Sequence, residues 1–382
     1  MDIKDVYSSI ESKGIRIDSV ELDNIITSLM QEDTSILKRY PGASGTKDIK
    51  NMLLAYLSDK NVSRTDKGAI SLSKASIGHL TDPLVSDYLT LTNNKKTISS
   101  LKSIADLIQS NGRVYPKYEV RDYLGRVYVS GFNYPGLSKK FRSIVLPEEG
   151  QIFGSLDMER AELVVLATMS GDERLQSDLQ SEDLHKRTAA FIFNKDINSV
   201  TPEERHKGKT LNFAIVYGAT EFYVAKELKI SVEEASNYLQ RYFNMYPKVA
   251  DFINSVKSKA RLTGESETFY GMKRTFEGDS DTLEKSAVSH AIQSTAGQLF
   301  NRVLANVIYP EVVNNNGTVT GVVYDSALIS HSQLDLDLNE LKRKSEAFCS
   351  ADGFPLMKFS VDIYGNRWGV SYNYNVITNT VS

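Results

Sequence analysis

The chain has 382 residues, 41% hydrophobic and 24% charged, which is enough apolar sequence for two or three packed subdomains and excludes wholesale disorder. Its formal charge is −3, from 45 Lys/Arg against 48 Asp/Glu, so no uniform basic field announces a polyanionic partner, although a locally positive cleft stays open. No apolar run approaches the ~18 residues that span a bilayer, the start MDIKDVYSSIESKG lacks the apolar core of a secretory signal, and the single Cys349 has no internal disulfide partner, so a cytoplasmic protein without membrane association is expected.

In chain order, residues 1–108 read as mostly helical, with helices over 19–32, 46–57 and 97–109 and breaks rich in Gly, Asn and Ser at 41–44 and 61–68. Short strands follow at 113–118, 125–130 and 151–156, the last running into Asp157. From Glu159 the pattern turns helical: ELVVLATMSGD, then 183–193, 202–217, 231–246 and 249–262. A hairpin is predicted at TFYGMKRTF and a long helix over 282–312. Strands at 318–324 and 327–330 flank a turn at Asp325–Ser326, and a helix near 338–349 and a strand near 357–363 follow. The fold class is α+β: a β platform from two separated segments, a helical insert between them and a helical region before them.

Local charge is informative. Between residues 90 and 145, ten Lys/Arg stand against three acids, with rings interleaved at Tyr115, Tyr118, Tyr123, Tyr128, Phe132 and Tyr134. Cations with interspersed rings suit phosphate tracking and base packing. They equally suit a solvated loop-and-strand surface.

Three constellations can carry chemistry. In QIFGSLDMERAEL an apolar strand delivers Asp157 where a helix begins, a place for a carboxylate ligand of a hard cation or for a plain helix N-cap. In RHKGKTLNFAIVYG, Arg205, Lys209, Phe213 and Tyr217 recur at i+4 and form one helical stripe, cations first and rings after, suited to a triphosphate at one end and a base or sugar at the other. In TVTGVVYDSALI two strands present Asp325 at a hairpin tip, as turn chemistry or as the second of two carboxylates able to bridge two cations for phosphoryl transfer.

Together and in this order, these segments resemble the polymerase domain of family A DNA polymerases, the bacterial polymerase I type. Asp157 to Leu163 looks like motif A (D-x-x-x-x-E-L), Arg205 to Gly218 like motif B (R-x-x-x-K-x-x-x-F-x-x-x-Y-G) and Val323 to Ser326 like motif C (V-H-D-E). Leu124–Gly125–Arg126, Asp183–Leu184–His185 with Thr188–Ala189, the AIQSTA run around Gln293, and Phe354–Pro355–Leu356 with Gly365 and Trp368 resemble further family segments. The resemblance covers essentially the whole chain. It implies a right hand, with a palm of antiparallel sheet, helical fingers and thumb: thumb 1–108, palm 109–172 and 285–382, fingers 173–284. Asp157 and Asp325 are then the catalytic carboxylates holding two Mg²⁺, with Mn²⁺ as a substitute. Arg205 and Lys209, helped by His185 and His206, grip the dNTP triphosphate, Phe213 and Tyr217 pack on its sugar and base, and Glu162 excludes a 2′-hydroxyl. Arg126, Gln293, Lys285 and Tyr324 touch primer–template DNA.

The resemblance implies template-directed DNA synthesis in a bacterial or phage-infected cell. No D-x-E exonuclease signature occurs in the first hundred residues, so a minimal phage-like enzyme, a fragment or half of a split system without its own proofreading is expected, with a separate exonuclease or processivity subunit as partner. Single-subunit phage-type RNA polymerases share the stripe and both aspartates, but usually have Gly where Glu162 stands and Met where Phe213 stands. A non-catalytic primer–template binding subunit is the alternative from another class, because motif C here has Tyr324 for His and Ser326 for Glu. Glu159 and Arg160 also depart from the commoner Ser-Gln of motif A, and Lys285 and Ser289 from Arg and Asn.

Overall fold

The computed structural model describes residues 1–121 and 125–370, with the backbone of Tyr374–Asn375 and Thr380–Val381. Asp122, Tyr123 and Leu124, used in the sequence reading, lie outside the described residues. The chain divides into two compact units, one of Met1–Gly14, Pro116–Gly136 and Pro147–Ser382, the other of Ile15–Tyr115 and Leu137–Leu146.

In the smaller unit the helices Ser19–Leu37, Thr46–Leu57 and Pro83–Ala105 share a core that includes Ile36, Ile49, Leu53, Leu57 and Leu91. Ile15–Ile17 pairs antiparallel with Arg113–Val114 and Val145–Leu146. The last helix begins at Pro83, well before the expected residue 97, because Asp82 accepts from Leu84 N at 2.8 Å and Pro83 suits a first turn. Its buried side carries Asp87, held by Arg39 and Tyr40, and Asn94, held by Glu32 and Asp33, so the apolar period that marks a helix is blurred.

The larger unit is built on a four-stranded antiparallel sheet in the order Lys358–Ile363, Ile152–Glu159, Ser326–His331, Thr318–Val323. The central strand Ile152–Glu159 buries side chains on both faces, Phe153 and Leu156 among them. It continues past Asp157 to Glu159, so this carboxylate lies within the strand and not at its end. Arg160, with φ 53°, turns the chain into the helix Ala161–Ser170, and the cap position is Arg160, which excludes the N-cap reading of Asp157. The hairpin is shifted by one residue from expectation: Val323 pairs with Ser326, leaving Tyr324–Asp325 as the two-residue loop.

The helical insert comprises Glu173–Leu179, Leu184–Phe193, Pro202–Val216, Glu221–Leu228, Val232–Met245 and Pro247–Thr263. Thr201 and Glu204 form a reciprocal capping box with Pro202 in the first turn, which sets where the stripe helix starts. After the short hairpin Glu265–Glu267 with Lys273–Thr275, a helical run from Ser280 to Asn314 contains two π-turns, His290–Ser294 and Leu304–Ile308. Gln293 sits in the first, a distortion frequent at functional sites. Leu163, Val165, Leu211, Ile215, Ile292, Phe300 and Phe359 belong to one core cluster.

Several of the rings interleaved with cations are structural, matching neither nucleic-acid packing nor a solvated surface. Phe132 and Tyr134 are buried, Tyr134 donates to Val322 O at 2.7 Å and shares a 2.8 Å hydroxyl contact with Tyr118, and Tyr118 stacks on Tyr7 with centroids 5.1 Å apart. Buried phenols need such partners, and these rings brace the hairpin that carries Asp325. Tyr128 stays exposed, with Arg121 over its ring. Among the described residues no helix is long and apolar enough to cross a membrane.

Candidate active site

The sheet register places Asp157 directly opposite Ser326, next to Asp325 in the hairpin loop, and Met158 N donates to Asp325 O at 3.0 Å. The Ser326 hydroxyl hydrogen-bonds the Asp157 carboxylate, so the residue that replaces the expected acid positions a carboxylate without adding charge. Burial raises Asp157 above the ordinary carboxylate range, with Asp362 and Glu159 adding to it. Asp325 is pushed up to about 7, by burial first and then by Asp157 and Glu162. Two half-buried carboxylates, both raised by burial and by neighbouring acids, are a site short of positive charge, and oxygen donors of this kind suit hard divalent cations. Among the described residues no cluster of three or more His, Cys, Asp and Glu forms a closed cage. Two carboxylates fit a cation that takes part of its coordination from substrate phosphates, as Mg²⁺ does. Tyr324 beside them has φ 59°, a region costly for a ring-bearing residue, and its side chain is exposed at the loop.

Arg126 lies between two groups assigned to different tasks. Its Nη2 donates to Glu162 Oε1 at 2.7 Å and its Nη1 to Gln293 Oε1 at 3.2 Å. The loop reaches this position because two glycines meet: a Cβ on Gly125 would stand 2.2 Å from Ser294 O, and one on Gly297 would stand 2.6 Å from Gly125 O. Asn301 Nδ2 donates to Gly125 O at 2.8 Å and fixes the approach. Arg126, Glu162, Tyr324 and Asp325 line one small cleft. Tyr217, at the end of the stripe, is raised by burial and then by Glu162, which places its hydroxyl within that field.

The stripe helix Pro202–Val216 packs against Leu184–Phe193 through Gly208, where a Cβ would stand 2.4 Å from His185 O and 3.0 Å from Ala189 N. Both obstacles are near backbone, so Gly208→Ala is expected to cost about 1–3 kcal/mol of stability, read as a fall in melting temperature; an unchanged melt would contradict the close approach. Fully buried Asn212 ties the same two helices, with Nδ2 3.1 Å from His185 Nδ1 and 3.0 Å from Thr188 Oγ1. Donation to Nδ1 leaves the His185 proton on Nε2. Arg205 Nε donates to Asp183 Oδ2 at 2.6 Å, and Lys209 is exposed one turn on, near Phe213. The ring of Phe213 lies 5.9 Å from that of His185.

Burial, then Arg205 and Lys209 among its neighbours, pushes His185 from 6.5 down to about 4. The unfolded chain therefore takes this proton first as pH falls, and the stability contributed by a neutral His185 is lost between those two values. His185→Gln is expected to flatten that part of a melting profile against pH, and a ring titration midpoint near neutrality by NMR would contradict the assignment.

The structure thus gathers Asp157, Asp325, Glu162, Arg126, Gln293 and Tyr217 in one group and Arg205, Lys209, His185 and Phe213 in another. Two expected residues stand apart. His206 is exposed and, one residue beyond Arg205, turned about 100° from the stripe. Lys285 lies 5.3 Å over the Tyr223 ring, beside Gly218, two turns before Gln293. Sequence reasoning missed Asn212, the Asp183 contact and Asp362; the only local signal was the Asp183–His185 spacing ahead of the stripe.

This fold matches that of a solved structure titled as the POL domain of Pol1 from M. smegmatis in complex with DNA primer-template and dNTP, with a TM-score of 0.81 and 20% identity, over 97% of this chain and 70% of that one. The profile of DNA polymerase family A matches residues 15–327. The chain belongs to DNA polymerase family A. It is 28% identical to DNA polymerase I of Caldicellulosiruptor bescii over 89% of this chain and 43% of that protein, and 27% identical to the thermostable DNA polymerase I of Thermus aquaticus over 85% and 42%. A shorter match to DNA polymerase I of Treponema pallidum reaches 34% identity over 213 residues. The chain spans less than half the length of these relatives.

Proposed function

We propose that this chain carries out template-directed DNA synthesis, joining a dNTP to a primer 3′-hydroxyl. The observation that carries the reading is the Asp157–Asp325 pair, one on a central strand and the other in the hairpin loop next to its partner Ser326, beside the Arg126–Glu162 contact. The hand is divided as thumb 1–108, palm 109–172 and 285–382, and fingers 173–284, with the first fourteen residues folding with the sheet unit.

In this reading the primer 3′-oxygen passes its proton to solvent water and attacks the α-phosphorus, the bond to the β-phosphate oxygen breaks, and pyrophosphate leaves. Arg205 and Lys209 bind the triphosphate, and the neutral His185 donates its Nε2–H to it. Phe213 and Tyr217 pack on the base and sugar, and Glu162 occupies the space of a 2′-hydroxyl. Arg126 and Gln293 release one another's polar atoms to the minor-groove side of the primer–template, with Tyr324 and Lys285 at its margin. Asp157 and Asp325 hold two Mg²⁺, or Mn²⁺ in their place, and such ions when bound supply positive charge at the attacking and leaving oxygens. Most of the rate then comes from positioning and charge neutralisation.

The test is extension of a labelled primer on a template with Mg²⁺ and either dNTPs or rNTPs. Extension with dNTPs alone is expected. A folded chain that binds primer–template and extends nothing would transfer the reading to a non-catalytic binding subunit, and equal use of rNTPs to an RNA polymerase-like enzyme.

A further inference from the structure

The two oxygens of Asp183 are divided between two tasks. Oδ1 accepts from Lys186 N at 3.0 Å and caps the helix Leu184–Phe193, while Oδ2 accepts from Arg205 Nε at 2.6 Å. The loop that delivers Asp183 is anchored as well: Arg160, at the corner after the Asp157 strand, donates to Leu179 O at 3.3 Å and to Glu182 O at 3.4 Å. A guanidinium offers two forks, one of Nε with an Nη and one of the two Nη atoms. Asp183 occupies Nε. Among the described residues Nη1 and Nη2 of Arg205 have no hydrogen bond, and the side chain is 46% exposed.

We propose that Asp183 is a positioning residue: by holding Nε it presents the end-on Nη fork of Arg205 to the phosphates of the incoming nucleotide. The inference rests on the reading of Arg205 as part of the triphosphate grip. A carboxylate beside an anion site also repels the anion, and the geometry decides which effect leads. Asp183 is tethered by its cap and engages Arg205 through the nitrogen that an end-on phosphate does not use, so pre-ordering of a long, half-exposed side chain is what it contributes. Among the described residues the one side chain that Asp183 hydrogen-bonds is Arg205, which gives the inference a specific signature.

The experiment measures dNTP affinity without chemistry, in a complex of the full chain with primer–template ended by a dideoxynucleotide, alongside KM and kcat for extension. Asp183→Ser keeps a good N-cap but does not reach Arg205, and Asp183→Asn keeps size and cap without the charge. Both are expected to raise the dNTP Kd and KM roughly tenfold, the scale of one charge-assisted contact, with kcat, primer–template affinity and melting temperature unchanged. In an Arg205→Ala background neither should add a further loss. A lower dNTP Kd in either variant would make Asp183 a competitor and overturn the inference, as would an unchanged Kd or a loss that persists without Arg205. A wild type that extends primers while Arg205→Ala binds dNTP normally would overturn this inference alone. A wild type that neither binds dNTP nor extends would overturn the polymerase reading and this inference with it.

Discussion

Asp157→Asn and Asp325→Asn are each expected to slow single-turnover primer extension by at least ~10³-fold, with folding and primer–template affinity retained. Asp157 sits within a strand and Asp325 in the adjoining hairpin loop, where the Ser326–Asp157 pairing and the Met158 N to Asp325 O hydrogen bond fix their backbones, so a change of one atom should not displace them. Among the described residues no third acid joins the pair in a cation-binding cluster. Ser326 gives Asp157 a hydrogen bond and no charge, and Asp362 and Glu159 contribute field without completing a three-acid cluster among the described residues. Rapid-quench extension of a labelled primer is the measurement, and a loss of less than tenfold in either variant would remove that residue from the reaction.

The same pair should leave a mark on stability when divalent cations are chelated. Asp325 stands at about 7 in the fold against 3.8 ordinarily, so between these values the unfolded chain is ionised while the folded one holds the proton. The folded state then binds more protons, and metal-free stability falls as pH rises through that window. Removing the charge in Asp325→Asn is expected to raise the metal-free melting temperature at alkaline pH. After allowance for solvent screening at a partly exposed loop, the gain is about 1–2 kcal/mol, and it should vanish in acid. In the proposed function, catalysis and stability are then opposed at this position, as at other sites where like charges are held together for function.

How far the site was legible follows from which contacts are local. Arg205, Lys209, Phe213 and Tyr217 were readable because helical spacing alone puts them on one side, and Thr201–Pro202 with Glu204 announces the helix start. The α+β class and the Asp325 hairpin were readable for the same reason, to within a residue. The contacts that give these residues their electrostatic setting join distant segments: Arg126 to Glu162 and Gln293, Arg205 to Asp183, His185 to Asn212 and Ser326 to Asp157. No periodicity encodes such pairs. Composition left Phe132 and Tyr134 open, because a ring among cations looks alike in a sequence whether it faces solvent or braces a sheet. The helix from Pro83 was hidden by the buried Asp87 and Asn94, whose partners lie on other helices.

Glu162→Gly is expected to raise incorporation of rNTPs relative to dNTPs by roughly a hundredfold or more. The Glu162 side chain is only 13% exposed, and Arg126 holds it at 2.7 Å, so it is a fixed obstacle and not a mobile one. Its field reaches both Tyr217 and Asp325, which places it between the stripe and the carboxylate pair, where the proposed sugar would lie. Volume and charge can be separated. Glu162→Gln keeps the volume and a hydrogen-bond acceptor for Arg126, so it should preserve most of the discrimination. Arg126→Ala leaves the carboxylate in place but unanchored, and discrimination should fall between the other two. It should also weaken dNTP use, because the minor-groove contact proposed for Arg126 is then lost. Measured as the ratio of kcat/KM for each nucleotide class, the order Gly, then Ala at position 126, then Gln identifies a steric gate held by an ion pair. If Glu162→Gln relaxed selectivity as much as Glu162→Gly, the charge and not the volume would be what excludes the ribose hydroxyl.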